Sequence, residues 1–373
     1  MDKVRIGIIG FGHIGSQHAR DILQGKTPLL ELCAVADTDS ERLELAKSMF
    51  GDKLKTFHTA SELIESGSVD GVIVSVPHYF HPSIAIDAME HGIHVLVEKP
   101  AGVYTKQVRK MDACAKVHPE LVYAIDFNQR TNPIYKKVRE LIQSGELGEM
   151  RRVIWIITNW YRSQSYYDQG GWRATWDGEG GGVLLNQNPH NLDLWQWMCG
   201  MPMRIKSTVY YGKHRNIDVE DDLYAVAEYP NGATGAYITT VADAPGTNRL
   251  EIDGDRGQIV VENDEILFRR LRQSESEFNK TYKKGLGKPE VWDCRIPVNG
   301  KYESHPGIMN NFADCILKGA VPIAPGYEGM KGLQISNAIH LSSWTNGDWV
   351  DIPVDEDRFL EELQGHCKNK VQE

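Results

Sequence analysis

Gly10, Gly12 and Gly15 form a G-x-G-x-x-G within the run Ile8 to Gly15. A strand-like run, Val4 to Ile9, leads into it, and a helix-like run, Ser16 to Leu23, follows. Strand, tight turn and helix in that order is the setting in which three such glycines bind a dinucleotide. Gly10 permits the turn, Gly12 lets backbone approach a pyrophosphate, and Gly15 lets helix pack on strand. Phe11, His13 and Ile14 complete the loop. Free N–H groups and the dipole at the helix start favour the phosphates. A second apolar run, Leu30 to Ala36, ends at Asp37, 22 residues after Gly15. An acid at about that spacing accepts from the adenosine ribose hydroxyls and repels a 2′-phosphate. No Arg or Lys follows until Arg42. The cofactor predicted is therefore NAD rather than NADP. Asp37 also suits capping of a helix from Ser40 onward.

Up to about residue 125, strands alternate with helices. Gly71 to Val76, Ile93 to Val97 and Leu121 to Ile125 read as strands; Ser83 to His91 and Thr105 to Val117 read as helices. That rhythm predicts a parallel sheet with helices on both faces. Beyond it come Arg152 to Trp160, Ile205 to Tyr211, Leu223 to Tyr229, Thr234 to Val241, Arg249 to Ile252 and Gln258 to Val261. These are strand-like and joined by turns such as Asn231-Gly232. The prediction is an α/β Rossmann domain over 1–127. An α+β domain with a large, mainly antiparallel open sheet follows over 128–373. Helices are expected at Ile134 to Ser144, Ile308 to Lys318 and Met330 to Trp344. The polar stretch Gln273 to Lys288 reads as a mobile insertion, and the tail from Asp355 as a segment that frays or caps a neighbour.

At 373 residues two domains are expected. The formal net charge of −10 argues against a nucleic-acid footprint, which needs a basic face. Six scattered cysteines without a C-x-x-C suggest neither zinc nor disulfides. Free thiols, no signal-like amino terminus and no apolar run of membrane-spanning length predict a cytoplasmic protein.

Ligands in an open parallel sheet bind outside the carboxyl ends of the strands. The strand from Ile93 to Val97 ends in Glu98-Lys99-Pro100, so Lys99 points at the mouth where a nicotinamide would sit. A Lys there can exchange a proton with a hydroxyl as hydride leaves its carbon. Ser75 and the run Pro77-His78-Tyr79-Phe80-His81 close the strand before it. The H-x-x-H spacing invites a metal, but no third ligand is apparent nearby, and no metal is expected. A further segment, Gly180 to Asp193, holds three glycines, then Asn186, Gln187 and His190. The i,i+4 spacing of Asn186 and His190 puts both on one face of a continuous helix. Alternatively Pro189 starts the helix, with Asn188 as its cap. Between these lie Trp160-Tyr161-Arg162 and Tyr166-Tyr167, then Trp172-Arg173, aromatic and cationic groups suited to a sugar or inositol ring.

Together these motifs resemble the Gfo/Idh/MocA oxidoreductase family over nearly the whole chain. The resemblance implies a catalytic Lys99, a cis peptide before Pro100 and a cofactor loop using Pro77, His78 and His81. It puts Trp172 and Arg173 near nicotinamide and substrate, and the family His on His190. Asn186 stands where inositol dehydrogenases of the family have Asp. It offers orientation or a hydroxyl contact rather than a charge, which shifts weight toward Lys99 as the base. The implied catalytic group is Lys99, His190 and Asn186. The cofactor is expected to meet the glycine loop, Asp37, Ser75, Glu98, Lys99 and Asn128. Substrate is expected to meet Lys99, Tyr161, Arg162, Tyr166, Arg173, Asn186, Gln187 and His190. Gln129, Arg130, His305 and Asn337 are weaker candidates. The implied activity is NAD-dependent oxidation of a secondary hydroxyl on a sugar or glycoside, such as the 3-hydroxyl of a glucoside. A myo- or scyllo-inositol dehydrogenase is the alternative. A non-catalytic dinucleotide sensor is remoter, because Lys99 and His190 are both kept. A homo-oligomer, with a tetramer favoured, is expected through the second sheet, using Ile154, Ile156, Val209 and Tyr237.

Overall fold

The computed structural model describes residues 3–51 and 53–368. Its first unit runs β1 (Val4–Ile9), α1 (His13–Leu23), β2 (Leu30–Ala36), α2 (Ser40–Phe50), β3 (Lys55–Phe57), α3 (Ala60–Glu65), β4 (Gly71–Val74), α4 (His81–Glu90), β5 (His94–Val97), α5 (Thr105–Val117) and β6 (Tyr123–Ile125). The six strands form one parallel sheet in the order β3-β2-β1-β4-β5-β6. Ile6, Ile8, Val72, Ile73, Val95 and Leu96 are fully buried, as strands covered on both faces require. The order reverses direction at β1, so a crevice opens at the carboxyl ends of β1 and β4. Gly10, Ser75, Glu98 and Asp126 each directly follow the end of a strand on that edge. The short strand β3 has no apolar run to announce it in the sequence.

The chain continues through α6 (Pro133–Gln143), β7 (Met150–Ile157), α7 (Gln164–Tyr167), α8 (Pro189–Cys199), β8 (Arg204–Tyr211), β9 (Glu220–Glu228), β10 (Thr234–Thr240), β11 (Asn248–Gly254), β12 (Gly257–Glu262) and β13 (Glu265–Leu271). It ends with α9 (Glu275–Thr281), β14 (Val291–Ile296), α10 (Ser304–Lys318), α11 (Gly329–Trp344), β15 (Val350–Asp351) and α12 (Glu356–His366). Nine strands make the second sheet, β14-β13-β12-β11-β7-β10-β9-β8-β15. All its pairs are antiparallel except β7 with β10, which is parallel. The stretch expected to be a mobile insertion instead holds α9, capped by Ser274, between β13 and the edge strand β14. The charged tail forms α12, whose Phe359, Leu360 and Leu363 are buried.

One face of this sheet is covered by α8 and α11, with Trp155, Trp195 and Tyr237 wholly buried. Val209 and Tyr237, expected at a subunit contact, therefore point into the chain's own core. Both faces of β8 and β10 carry apolar residues, so alternation alone could not assign them, and an offset of one residue swaps faces. The outward row holds Tyr210, Tyr224, Val226 and Ile238, all substantially exposed, with Ile154 and Ile156 half-buried. Helix α10 returns to pack against β1, β5 and α1, carrying His305 to the first sheet. No described helix is long and apolar enough to cross a membrane.

Candidate active site

The three motif glycines have different local reasons. A Cβ on Gly10, where φ is +90°, would lie 2.4 Å from the Ser75 carbonyl oxygen. One on Gly15 would lie 2.0 Å from the Gly10 oxygen. These two serve internal close approach. A Cβ on Gly12 would meet only the Arg42 Nη1, at 3.7 Å, so that position faces open space. Gly12 is also the N-cap of α1 and provides no side-chain cap for the first-turn N–H groups. Open backbone at a bare helix start fits a pyrophosphate. Ser75 lies beneath the loop, its hydroxyl donating to the Gly10 oxygen at 2.7 Å. Asp37 accepts from Phe11 N at 2.6 Å and from Asp39 N at 2.9 Å. Asp39, not Asp37, caps α2. The first turn of α2 brings the Arg42 Nη1 to 3.4 Å from Asp37 Oδ2. Sequence distance left this cation out of the cofactor site; helical geometry folds it back in.

Lys99 follows β5 and is half-buried, and the Lys99–Pro100 bond is cis. Its Nζ donates to the Asn186 carbonyl oxygen at 2.8 Å, across 87 residues. Burial lowers its pKa, against the raising influence of Glu98, Glu179 and Asp126. Behind Lys99 lies a buried group of His18, Glu98, Asp126 and His305. His18 Nε2 is 2.6 Å from Glu98 Oε1, and His305 Nδ1 is 2.9 Å from Asp126 Oδ2. Burial pushes the Glu98 carboxyl up, but the His18 contact outweighs it and holds the group far below the usual carboxylate range. Burial also works against the His305 imidazolium, yet Asp126 wins and the pKa is pushed up to about 9. Asn128 belongs to this group, its side-chain amide 2.9 Å from His305 Nε2.

The glycine-rich segment completes the site. Pro189 starts α8 with Asn188 as its N-cap, so Asn186 lies outside the helix that carries His190. The Asn186 side chain does not reach His190. Its amide donates to a buried carboxylate, Glu179 Oε1. Nothing in the sequence singled out Glu179, which sits among four glycines. His190 packs edge-on to Phe127, and its Nδ1 is buried without a hydrogen-bond partner. Burial, then the Lys99 charge, drives its pKa well below the ordinary range. The Gln187 amide is buried with neither end hydrogen-bonded. Unpaired buried polar atoms cost about 1–3 kcal/mol each, so each calls for a partner such as a water, an ion or a ligand.

His78 bridges to this segment, its Nδ1 donating to the Glu179 carbonyl at 2.9 Å, with the Trp172 ring 5.7 Å away. Each ring nitrogen of His81 lies 2.7 Å from a carbonyl oxygen, of Pro100 and of Val76. It ties the Pro77 turn to the Pro100 turn and has no nitrogen left for a cofactor. Arg173 lies over Trp172 at 4.7 Å and over Tyr166 at 5.1 Å, and Arg162 covers Tyr166 from 5.1 Å. Tyr161 turns outward beneath Arg215. Three weaker candidates hold structure instead. Arg130 is buried in a bidentate pair with Asp193. Gln129 donates to the Tyr302 hydroxyl at 2.8 Å. The Asn337 amide bonds Thr105 N and Val103 O.

Residues 4–125 match the model of an oxidoreductase family with an NAD-binding Rossmann fold, and 135–260 match that of the GFO/IDH/MocA C-terminal domain. The rhizopine catabolism protein MocA of Rhizobium meliloti is 32% identical over 54% of this chain and 58% of its own length. The scyllo-inositol 2-dehydrogenase (NAD(+)) of Bacillus subtilis is 22% identical over 94% of this chain and 97% of its own. The WlbA dehydrogenase from Bordetella pertussis, solved with NADH and UDP-GlcNAcA, superposes with a TM-score of 0.80 at 25% identity. That superposition covers 95% of this chain and 99% of that one.

Proposed function

The chain belongs to the Gfo/Idh/MocA oxidoreductase family, and on that premise we propose that it oxidises a secondary hydroxyl of a sugar or glycoside with NAD. The observation that carries this reading is the meeting of Lys99 and His190: Lys99 donates to the Asn186 carbonyl oxygen, four residues before His190, and its charge acts on the His190 ring. Lys99 comes from β5; His190 and the Gln187 amide come from the segment that opens α8. Bound NAD would supply the acceptor for the carbinol hydride. The glycine loop and Asp37 would hold the diphosphate and ribose. His78, Trp172 and Arg173 would line the nicotinamide side. Lys99 and His190 flank the hydroxyl, and one of them takes its proton as the ketone forms. Burial keeps His190 neutral and so able to accept, while it also opposes the imidazolium that accepting would form. Gln187 and Asn186 offer polar atoms to neighbouring hydroxyls, while Tyr166 and Arg162 provide an aromatic and cationic wall.

The 3-hydroxyl of a glucoside is the first position to test. A relative named for inositol and a similar structure solved with UDP-GlcNAcA support a cyclic polyhydroxy substrate. We propose the division between cofactor and substrate domains between residues 127 and 128. The exposed row Tyr210, Tyr224, Val226 and Ile238 supports assembly through the second sheet, with a tetramer expected. The deciding experiment follows NADH formation with glucosides, free sugars, inositols and UDP-sugars. Turnover is expected on a glycoside or sugar; activity confined to inositols moves the assignment to inositol dehydrogenase. A monomer by light scattering at micromolar concentration removes the assembly.

A further inference from the structure

Position 186 brings an amide to the site, yet the site does not lack a carboxylate. Glu179 lies between Gly178 and Gly180, both fixed by close contact. A Cβ on Gly178 would fall 2.2 Å from the Trp172 oxygen, and one on Gly180 2.2 Å from Val103 Cγ1. The Glu179 N–H donates to Thr175 O at 3.0 Å, and its carbonyl accepts from His78. Its side chain is only 1% exposed. One carboxylate oxygen accepts from Ala174 N at 2.7 Å, a donor aimed by an Ala174 held at a φ of +57°. The other accepts from the Asn186 amide. Asn186 thus faces two ways: its side chain holds Glu179 and its backbone oxygen holds Lys99 at 2.8 Å.

We propose that Glu179, acting through Asn186, is the positioning carboxylate of this site and fixes the place and charge of Lys99. The proposal rests on the dehydrogenase reading above. Lys99 also faces Glu98, Asp126, Arg173, His78, His81, His190 and His305, and Glu179 faces Tyr167 and Glu220. Glu98 and Asp126 are already bonded to His18 and His305. Glu179 is the member of the set bonded to the residue that holds the Lys99 ammonium. Burial raises its own pKa, and the Ala174 and Asn186 bonds, with Arg173 and Lys99, oppose that. An Asp at 186 in the wild-type background would set two buried carboxylates face to face, which disfavours ionisation of both.

The test uses Glu179→Gln, Asn186→Asp and the double variant. The amide introduced by Glu179→Gln keeps an acceptor for Ala174 N and turns its NH2 toward position 186. The double variant therefore inverts the amide–carboxylate pair and keeps the charge. Lys99 is titrated by its pH-dependent acylation in the NADH-bound protein, read by mass spectrometry, and kcat and KM are measured against pH. Glu179→Gln is expected to move the Lys99 midpoint down by about one pH unit. It should also lower kcat about 10–100-fold with KM little changed. Asn186→Asp alone, whose facing carboxylates share one proton and keep a single negative charge, should move the midpoint little, and the double variant should return both readouts toward wild type. An unmoved midpoint in Glu179→Gln, or a double variant no better than Glu179→Gln, overturns the proposal. If Glu179→Gln does not fold, a double variant whose Lys99 midpoint lies about a pH unit or more from wild type overturns it instead. Acylation needs no turnover, so failure of the dehydrogenase reading appears separately, as a wild type inert on every sugar and polyol.

Discussion

Alanine at Gly12 and at Gly15 should give opposite defects, although both belong to one motif. At Gly15 the new methyl would sit 2.0 Å from the Gly10 oxygen and 2.8 Å from Ser75 Oγ. Overpacking costs about 1–3 kcal/mol, and the nearest obstacle here is backbone that cannot rotate away, so about 3 kcal/mol is expected. That lowers Tm by roughly 6–12 °C. At Gly12, φ is −73°, which any residue adopts, and the methyl meets only a mobile guanidinium at 3.7 Å. Stability should change by less than about 0.5 kcal/mol. The methyl would instead stand between the pyrophosphate and the helix N–H groups. Losing one charge-assisted hydrogen bond, about 1.5–3 kcal/mol, weakens NADH binding by about 10–100-fold. Thermal melts and NADH fluorescence titrations read the two quantities separately. A Gly12→Ala protein that binds NADH as tightly as wild type, or that melts as early as Gly15→Ala, would refute the assignment of open space at Gly12 to the cofactor.

Arg130→Met leaves Asp193 buried without its cation, with only the Gln196 amide on it, and should cost about 3–5 kcal/mol in urea unfolding without changing NADH affinity; a loss below about 1 kcal/mol, the scale of an exposed pair, would show this one to be dispensable. Asp37→Ala should weaken NAD and narrow its advantage over NADP, since Arg42 is then left facing the ribose; calorimetry finding tighter NADP binding to the wild type overturns the NAD preference. His305 is raised from 6.5 to about 9, so the stability its imidazolium contributes is fully present below pH 6.5 and lost as pH rises through about 9. That contribution is about 3 kcal/mol, and the gap in unfolding free energy between wild type and His305→Gln should shrink by that order from about pH 6 to about pH 10. A gap that widens over this range contradicts the His305–Asp126 pair.

What the sequence made legible was local. The glycine motif, the acid after β2 and Glu98-Lys99-Pro100 are each fixed by a few residues at a strand end, and the parallel sheet puts strand ends on one edge whatever else happens. Residues joined by tertiary packing were silent. His18 meets Glu98 across 80 positions and His305 meets Asp126 across 179. Arg42 reaches Asp37 only because α2 turns it back. Glu179 looked like one polar residue in a glycine run; only the fold shows that Asn186 spends its amide there, rather than on His190. The Pro189 alternatives were both written in the sequence, and the helix start at Pro189 separates Asn186 from His190. Face assignment in β8 and β10 failed because apolar residues occupy both sides of those strands.

The central claim is that Lys99 and His190 flank a hydroxyl beside a bound nicotinamide and together handle its proton. The most direct test measures turnover of Lys99→Ala and His190→Ala on the best substrate of the panel, with NADH affinity measured on the same samples. Each variant should lose about 10²–10⁴-fold in kcat while binding NADH within a few-fold of wild type. If His190→Ala keeps near-full activity across pH, His190 is structural and the proton goes to Lys99 or elsewhere. If both variants keep turnover, the chemistry lies outside this cluster.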